Sequence, residues 1–186
     1  MIIKGKNMTK KCYISVDGEM TGSVPEYYHL FELGACLIED PEVGFETLLA
    51  VPTGAAYEPE ALAAIKMTPE GLPRSPGAPD PENAMKSFAS WVKEVAGERT
   101  PIFVANNAPF DWMFVAHGFE KARIKNPFGH NALDMKAYFM GKTDCSWREA
   151  TLGRMAAHVG LPTCALPHRA LLDAKIQAEI FAKLIV

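Results

Sequence analysis

Two rhythms of apolar and polar positions run along this chain, and they change near residue 55. In the first part the apolar runs are short. Residues 12–16 (CYISV), 33–38 and 45–51 are compact and rich in strand formers. Polar turn chemistry separates them, first the stretch DGEMTGS and later Glu39-Asp40-Pro41-Glu42. Three strands joined by short turns predict an antiparallel meander.

Beyond that point helical spacing dominates. Residues 59–67 have it, and residues 68–81, with five prolines and two glycines, read as a loop. Residues 82–96 form an amphipathic pattern with Met85, Phe88, Ala89, Val92 and Val95 on one side. A buried strand is predicted at 101–105, a helix at 110–119 and a short strand at 132–135. A helix at 147–159 closes on Gly160-Leu161-Pro162, and a last helix runs from Arg169 with Leu172, Ile176, Ile180 and Leu184 spaced by four. The expected fold is α/β: a mixed five-stranded sheet, three strands in an antiparallel meander plus parallel strands, flanked by helices. Residues 1–11 read as a flexible N-terminal extension, with Met8 as well as Met1 available as a start, and residues 12–186 as a single domain.

Composition narrows the class. Apolar residues make up 48% of 186, enough for a core and too many for a disordered chain. No apolar run approaches the roughly 20 residues of a membrane helix, and the basic start lacks a signal-peptide core. A cytoplasmic location is the expectation. Cys12, Cys36, Cys145 and Cys164 show no zinc-ligand spacing and read as free thiols. The net charge of −3 lacks the basic excess of proteins that grip long duplexes.

Three acidic motifs then carry the chemistry. Asp17 and Glu19 follow the first strand two residues apart, and residues so spaced on an extended backbone share a face. Two carboxylates that close repel unless a cation or a proton intervenes; a solvated strand end gives the same pattern. Asp111 falls in the first turn of a helix after Pro109, where the helix dipole also favours an acid. Asp173 lies on the predicted apolar side of the last helix, where a buried acid needs a partner. His168 is five residues earlier, about 140° round a helix. It must therefore sit on the loop entering that helix if both are to meet.

In this order the motifs DxE, NxxxFD and HxxxxD resemble the DEDDh branch of the DnaQ-like 3′→5′ exonucleases, from about Tyr13 to the C-terminus. Glu19-Met20-Thr21-Gly22 is similar to the first motif of oligoribonuclease. Asn107-Ala108-Pro109-Phe110-Asp111 and the stretch from His168 to Ala174 are similar to the proofreading subunit of bacterial replicative polymerases. Ribonuclease T belongs to the same group. Asn106 stands where many members have histidine, and Gly18 is an unusual linker between the first two acids.

The resemblance implies a ribonuclease H-like domain that removes nucleoside 5′-monophosphates from the 3′ end of single-stranded DNA or RNA. It implies Asp17, Glu19, Asp111 and Asp173 as ligands of two Mg²⁺ or Mn²⁺ ions, which together activate a water and stabilise the leaving 3′ oxygen. His168 is implied as the general base. With four acids counted as ligands and neutralised by two cations, the loaded protein has a charge near +1. Met20 either wedges against the terminal base or fills a gap; Thr21 and Asn107 are substrate-side candidates. Homodimers occur in such families. The rival readings are a catalytically silent module that binds strand ends and a polymerase-associated subunit. Asp134 reads as structural, and His29, His117, His130 and His158 as ordinary. Trp91 and Trp147 are expected on helices as core or interface residues. Arg148, Arg154, Arg169 and Lys175 are either phosphate contacts or solvated charges.

Overall fold

The computed structural model describes residues 11–163 and 166–185. Its order is β1 (Lys11–Met20), β2 (Leu30–Leu37), β3 (Gly44–Leu48), α1 (Pro59–Ala64), α2 (Pro81–Ala96), β4 (Thr100–Ala105), α3 (Ala108–Lys121), β5 (Ala132–Asp134), α4 (Met135–Thr143), α5 (Leu152–His158) and α6 (Ala170–Leu184). One sheet has the strand order β3-β2-β1-β4-β5. β1 pairs antiparallel with β2 and parallel with β4, so the meander and the parallel half meet on it. The expected mixed five-stranded sheet is present.

Helices cover both faces. Cys12, Ile14 and Val16 of β1 pack with Phe88 and Val92 of α2 and with Val115 and Phe119 of α3. Odd-numbered residues of β1 point the other way, where Tyr13 meets Phe181 of α6 with ring centroids 6.0 Å apart. The period-2 alternation therefore places Asp17 and Glu19 on the α6 face. Phe88 is the centre of the first core, stacked on Phe119 at 5.8 Å and touching the rings of Phe45, Trp91 and Phe128. Burying one such ring is worth ~1.5–3 kcal/mol.

Close approach of α6 to the sheet requires a glycine. A Cβ on Gly34 would lie 2.1 Å from the backbone nitrogen of Leu171, so the first turn of α6 rests directly on β2. That contact lowers the start of α6 over the end of β1.

Several boundaries differ from the sequence expectation. β1 takes in Lys11 and runs on to Met20, because Asp17, Gly18 and Glu19 keep their pairing with Gly34, Leu33 and Glu32. Pairing to a neighbour outweighs the turn character of Asp-Gly. The 132–135 strand stops at Asp134, whose carboxylate accepts from the Ala137 N–H at 2.7 Å and so starts the unforeseen helix α4. The helix expected from 147 begins only at Leu152, N-capped by Thr151. Trp147 is thus on a turn and 49% exposed, with the Lys136 ammonium 4.0 Å from its ring centre. Cys12, Cys36 and Cys145 are free; Cys164 and residues 1–10 lie outside the described residues.

Candidate active site

Four elements converge at one end of β1. Asp17 and Glu19 come from β1 itself. Asp111 comes from the first turn of α3, which β4 reaches through Asn106 and the left-handed Asn107 (φ 63°). Asp173 comes from the first turn of α6 and is 1% exposed. It does not share the side of Leu172, which is 50% exposed; the buried face of α6 carries Ala170, Asp173, Ala174 and Gln177. His168 lies just outside the helix, as its spacing from Asp173 requires, with a positive φ of 55° that is uncommon outside glycine.

Contacts join these residues. The Gly18 N–H donates to Asp111 Oδ1 at 3.1 Å, tying α3 to β1 between the two β1 acids. A Cβ on Gly18 would meet Leu30 Cδ1 at 2.7 Å, a contact that the flexible Leu30 side chain would have to yield. His168 Nδ1 is 4.0 Å from Glu19 Oε1. Glu19, His168 and Asp173 each present a ligand atom within 4.8 Å of the other two. The Arg169 N–H donates to Asp173 Oδ2 at 3.2 Å. Asp173 Oδ1 is buried and has no hydrogen-bond partner among the described residues.

The electrostatics are those of crowded acids. Burial pushes Asp17 well above the usual carboxylate range, and the charges of Asp111, Glu19 and Asp173 push the same way. Glu19 is raised to about 8 by burial, then by Asp173, Glu32 and Asp111. Burial raises Asp111 to about 7 against the opposing Gly18 N–H. Asp173 is also raised by burial, with the N–H groups of Arg169 and His168 opposing. An orphaned buried carboxylate oxygen beside further oxygen donors fits a hard divalent cation. The residues present suit the group.

This arrangement predicts an inverted stability profile for metal-stripped protein. Below pH about 3 the carboxyls are protonated in folded and unfolded chains alike and carry no charge to bury. As pH rises to about 8, the unfolded chain releases protons that Glu19 and Asp111 retain in the fold, so stability falls. Thermal melts across this range should show a decline that is shallower in Asp111→Asn. Equal slopes in the two proteins would contradict the raised, buried Asp111 carboxyl.

Two participants were missed by sequence reasoning. Gln177 is 1% exposed, its Nε2 donates to Asp17 Oδ1 at 2.6 Å and its Oε1 accepts from the Asn106 N–H at 2.7 Å. Its only sequence signal is a polar residue one turn after Asp173. Glu32, 5% exposed in an otherwise apolar strand, accepts from the Ala170 N–H at 3.0 Å and from Arg169 Nε at 3.3 Å. It anchors the entry to α6.

Other candidates find ordinary places. Thr21 is buried; its hydroxyl donates to the Ala56 carbonyl at 3.1 Å and accepts from the His29 N–H at 3.0 Å. Met20 is 5% exposed, and Asn107 is exposed without a side-chain cap bond. Asp134 also accepts from the Ala108 N–H at 2.6 Å, a structural clamp on α3. Lys175 pairs with Glu42 at 3.0 Å, Arg154 with Glu149 at 2.7 Å, and His117 approaches Glu26 at 3.4 Å. Trp91 packs at the core edge against Phe45 and Phe88. A cleft of about 490 Å³ opens beside the cluster, lined by Glu19, Phe31, Glu32, Met67, His168 and Arg169 among others.

Residues 14–181 match the RNase_T family profile, described as exonuclease. The chain is 36% identical to the "3′-5′ DNA exonuclease Cap18" of Escherichia coli, covering 92% of this chain and 90% of that protein. It is 26% identical to "DNA polymerase III PolC-type" of Staphylococcus haemolyticus, covering 97% of this chain and 12% of that protein. Its fold is similar to the nuclease domain of 3′hExo, a DEDDh family member solved bound to rAMP. That match has a TM-score of 0.74 at 16% identity and covers 97% and 94% of the two chains. Escherichia coli Exonuclease I, solved with a dT13 oligonucleotide, matches with a TM-score of 0.66 at 16% identity, covering 95% of this chain and 41% of that one.

Proposed function

This chain belongs to the RNase_T family of exonucleases, and from that premise we propose that it removes nucleoside 5′-monophosphates from the 3′ end of single-stranded DNA. Its reaction is 3′→5′ phosphodiester hydrolysis in a metal-dependent family. The observation that carries the site is the convergence of Asp17, Glu19, Asp111 and Asp173, with Asp173 Oδ1 buried and unpartnered beside Glu19 and His168. These four acids would hold two Mg²⁺ or Mn²⁺ ions. When bound, such ions supply positive charge at the scissile phosphate and at the oxygens that attack and leave.

The protein's own groups do the rest. His168 stands at the open side of the cluster, 42% exposed and within reach of Glu19, and takes the proton of the attacking water. Glu32 holds the turn from which His168 projects, by accepting from the Ala170 N–H and Arg169 Nε. The cleft beside His168, lined by Glu19, Phe31, Glu32, Met67 and Arg169 among others, receives the terminal nucleotide. DNA is proposed ahead of RNA because the Escherichia coli relative is a DNA exonuclease by name. The full set of acids weighs against a silent end-binding module, because clustered carboxylates destabilise a fold that has no cation to hold.

An oligomer labelled at its 5′ end should give a ladder of shortening labelled products in Mg²⁺ or Mn²⁺, and none in chelator. Matched DNA and RNA strands should differ in favour of DNA. Immediate release of a labelled mononucleotide from the 5′ end would overturn the polarity; full activity in chelator would overturn the metal site.

A further inference from the structure

We propose that Gln177 is a positioning residue whose buried amide fixes the orientation of the Asp17 carboxylate and locks the three acid-bearing elements to one another. The inference rests on the reading of Asp17 as a metal ligand. The amide has one possible orientation. The Asn106 backbone N–H can only donate, so the group 2.7 Å from it must be the carbonyl oxygen of Gln177. The NH₂ group then points to Asp17 Oδ1 at 2.6 Å, and no exchange of N and O satisfies both contacts. One lone pair of Oδ1 is thereby engaged, which fixes the plane of the carboxylate and the direction in which its remaining lone pairs face a cation.

The amide also joins elements that the chain keeps far apart. Asn106 is the residue at which β4 leaves for α3 and Asp111. Asp17 is on β1, and Gln177 follows Asp173 by one turn on the same face of α6. One side chain, 1% exposed, therefore fixes Asp17 relative to the hinge before Asp111 and the helix of Asp173. Losing either contact would leave a buried polar group unsatisfied, so the fold is stabilised by keeping both. Groups that orient a ligating side chain from behind typically change metal affinity roughly 10- to 100-fold when removed.

The test compares Gln177→Leu and Gln177→Glu with wild type and Asp17→Asn. Gln177→Leu keeps the volume and removes both contacts. Gln177→Glu keeps an acceptor for the Asn106 N–H and replaces the donor facing Asp17. Three quantities are read: the Mn²⁺ concentration for half-maximal hydrolysis, the rise in Tm on adding Mn²⁺ to stripped protein, and KM for a short DNA strand. Both Gln177 variants should need about tenfold or more additional Mn²⁺ and show a smaller Tm rise, with KM within about twofold. If Gln177→Leu does not fold, Gln177→Glu decides alone. Unchanged Mn²⁺ dependence and Tm rise would overturn the proposal and reduce Gln177 to packing. If Asp17→Asn also leaves them unchanged, the ligand reading of Asp17 has failed instead.

Discussion

Asp17→Asn and Asp173→Asn are expected to bring hydrolysis to background while leaving the metal-stripped protein folded and at least as stable as wild type. The two effects have one cause. In the stripped protein Asp17 and Asp173 are held above the usual carboxylate range, chiefly by burial, so a neutral amide removes a buried charge; at Asp173 that gain outweighs the lost attraction of His168. The amide oxygen introduced by Asp17→Asn still accepts from Gln177, and the orphaned Asp173 Oδ1 has no described partner to lose. In the working enzyme the same charges hold the cations. Charge stabilisation of several kcal/mol disappears with a ligand, and each ~1.4 kcal/mol is a factor of ten in rate. Turnover and melting temperature measured on the same preparations separate this from simple unfolding. A stripped variant that melts well below wild type would show that the carboxylate stabilises the fold; normal turnover would place the metal site elsewhere.

What the sequence carried depended on how local each signal was. Strand alternation is a property of consecutive residues, so Asp17 and Glu19 are legible as sharing a face before any partner strand is known. The helical angle between His168 and Asp173 likewise forces His168 onto a loop, where it lies. The end of β1 is not legible in this way. Asp17-Gly18-Glu19 has turn composition, and only its pairing with residues 32–34 keeps it extended. The face of Asp173 escapes the linear pattern for a related reason. Leu172 looks like its apolar neighbour, but the glycine at 34 lets α6 sit so close that small residues and acids fill its buried side. Gln177 and Glu32 are invisible because their roles are contacts across 71 to 160 positions of sequence. Nothing in a linear pattern marks a glutamine that bridges two other elements.

His168 is the residue on which the chemistry is most exposed to test. As general base, its replacement by alanine is expected to lower turnover by roughly 10²–10⁴-fold while Mn²⁺ still raises Tm. Backbone geometry complicates alanine, because residue 168 has a φ of 55° and most side chains resist that conformation. His168→Asn removes this ambiguity. Asparagine tolerates the left-handed region and keeps a polar head, but it cannot take up a proton near neutral pH. Both variants should therefore lose turnover to a similar extent. The comparison also separates proton transfer from support of the acids, since His168 Nδ1 lies 4.0 Å from Glu19 Oε1. If His168 mainly steadies Glu19, the Mn²⁺ concentration for half-maximal hydrolysis rises and saturating metal restores the rate. If it is the base, saturating metal restores nothing. Wild-type turnover in both variants would remove His168 from the mechanism.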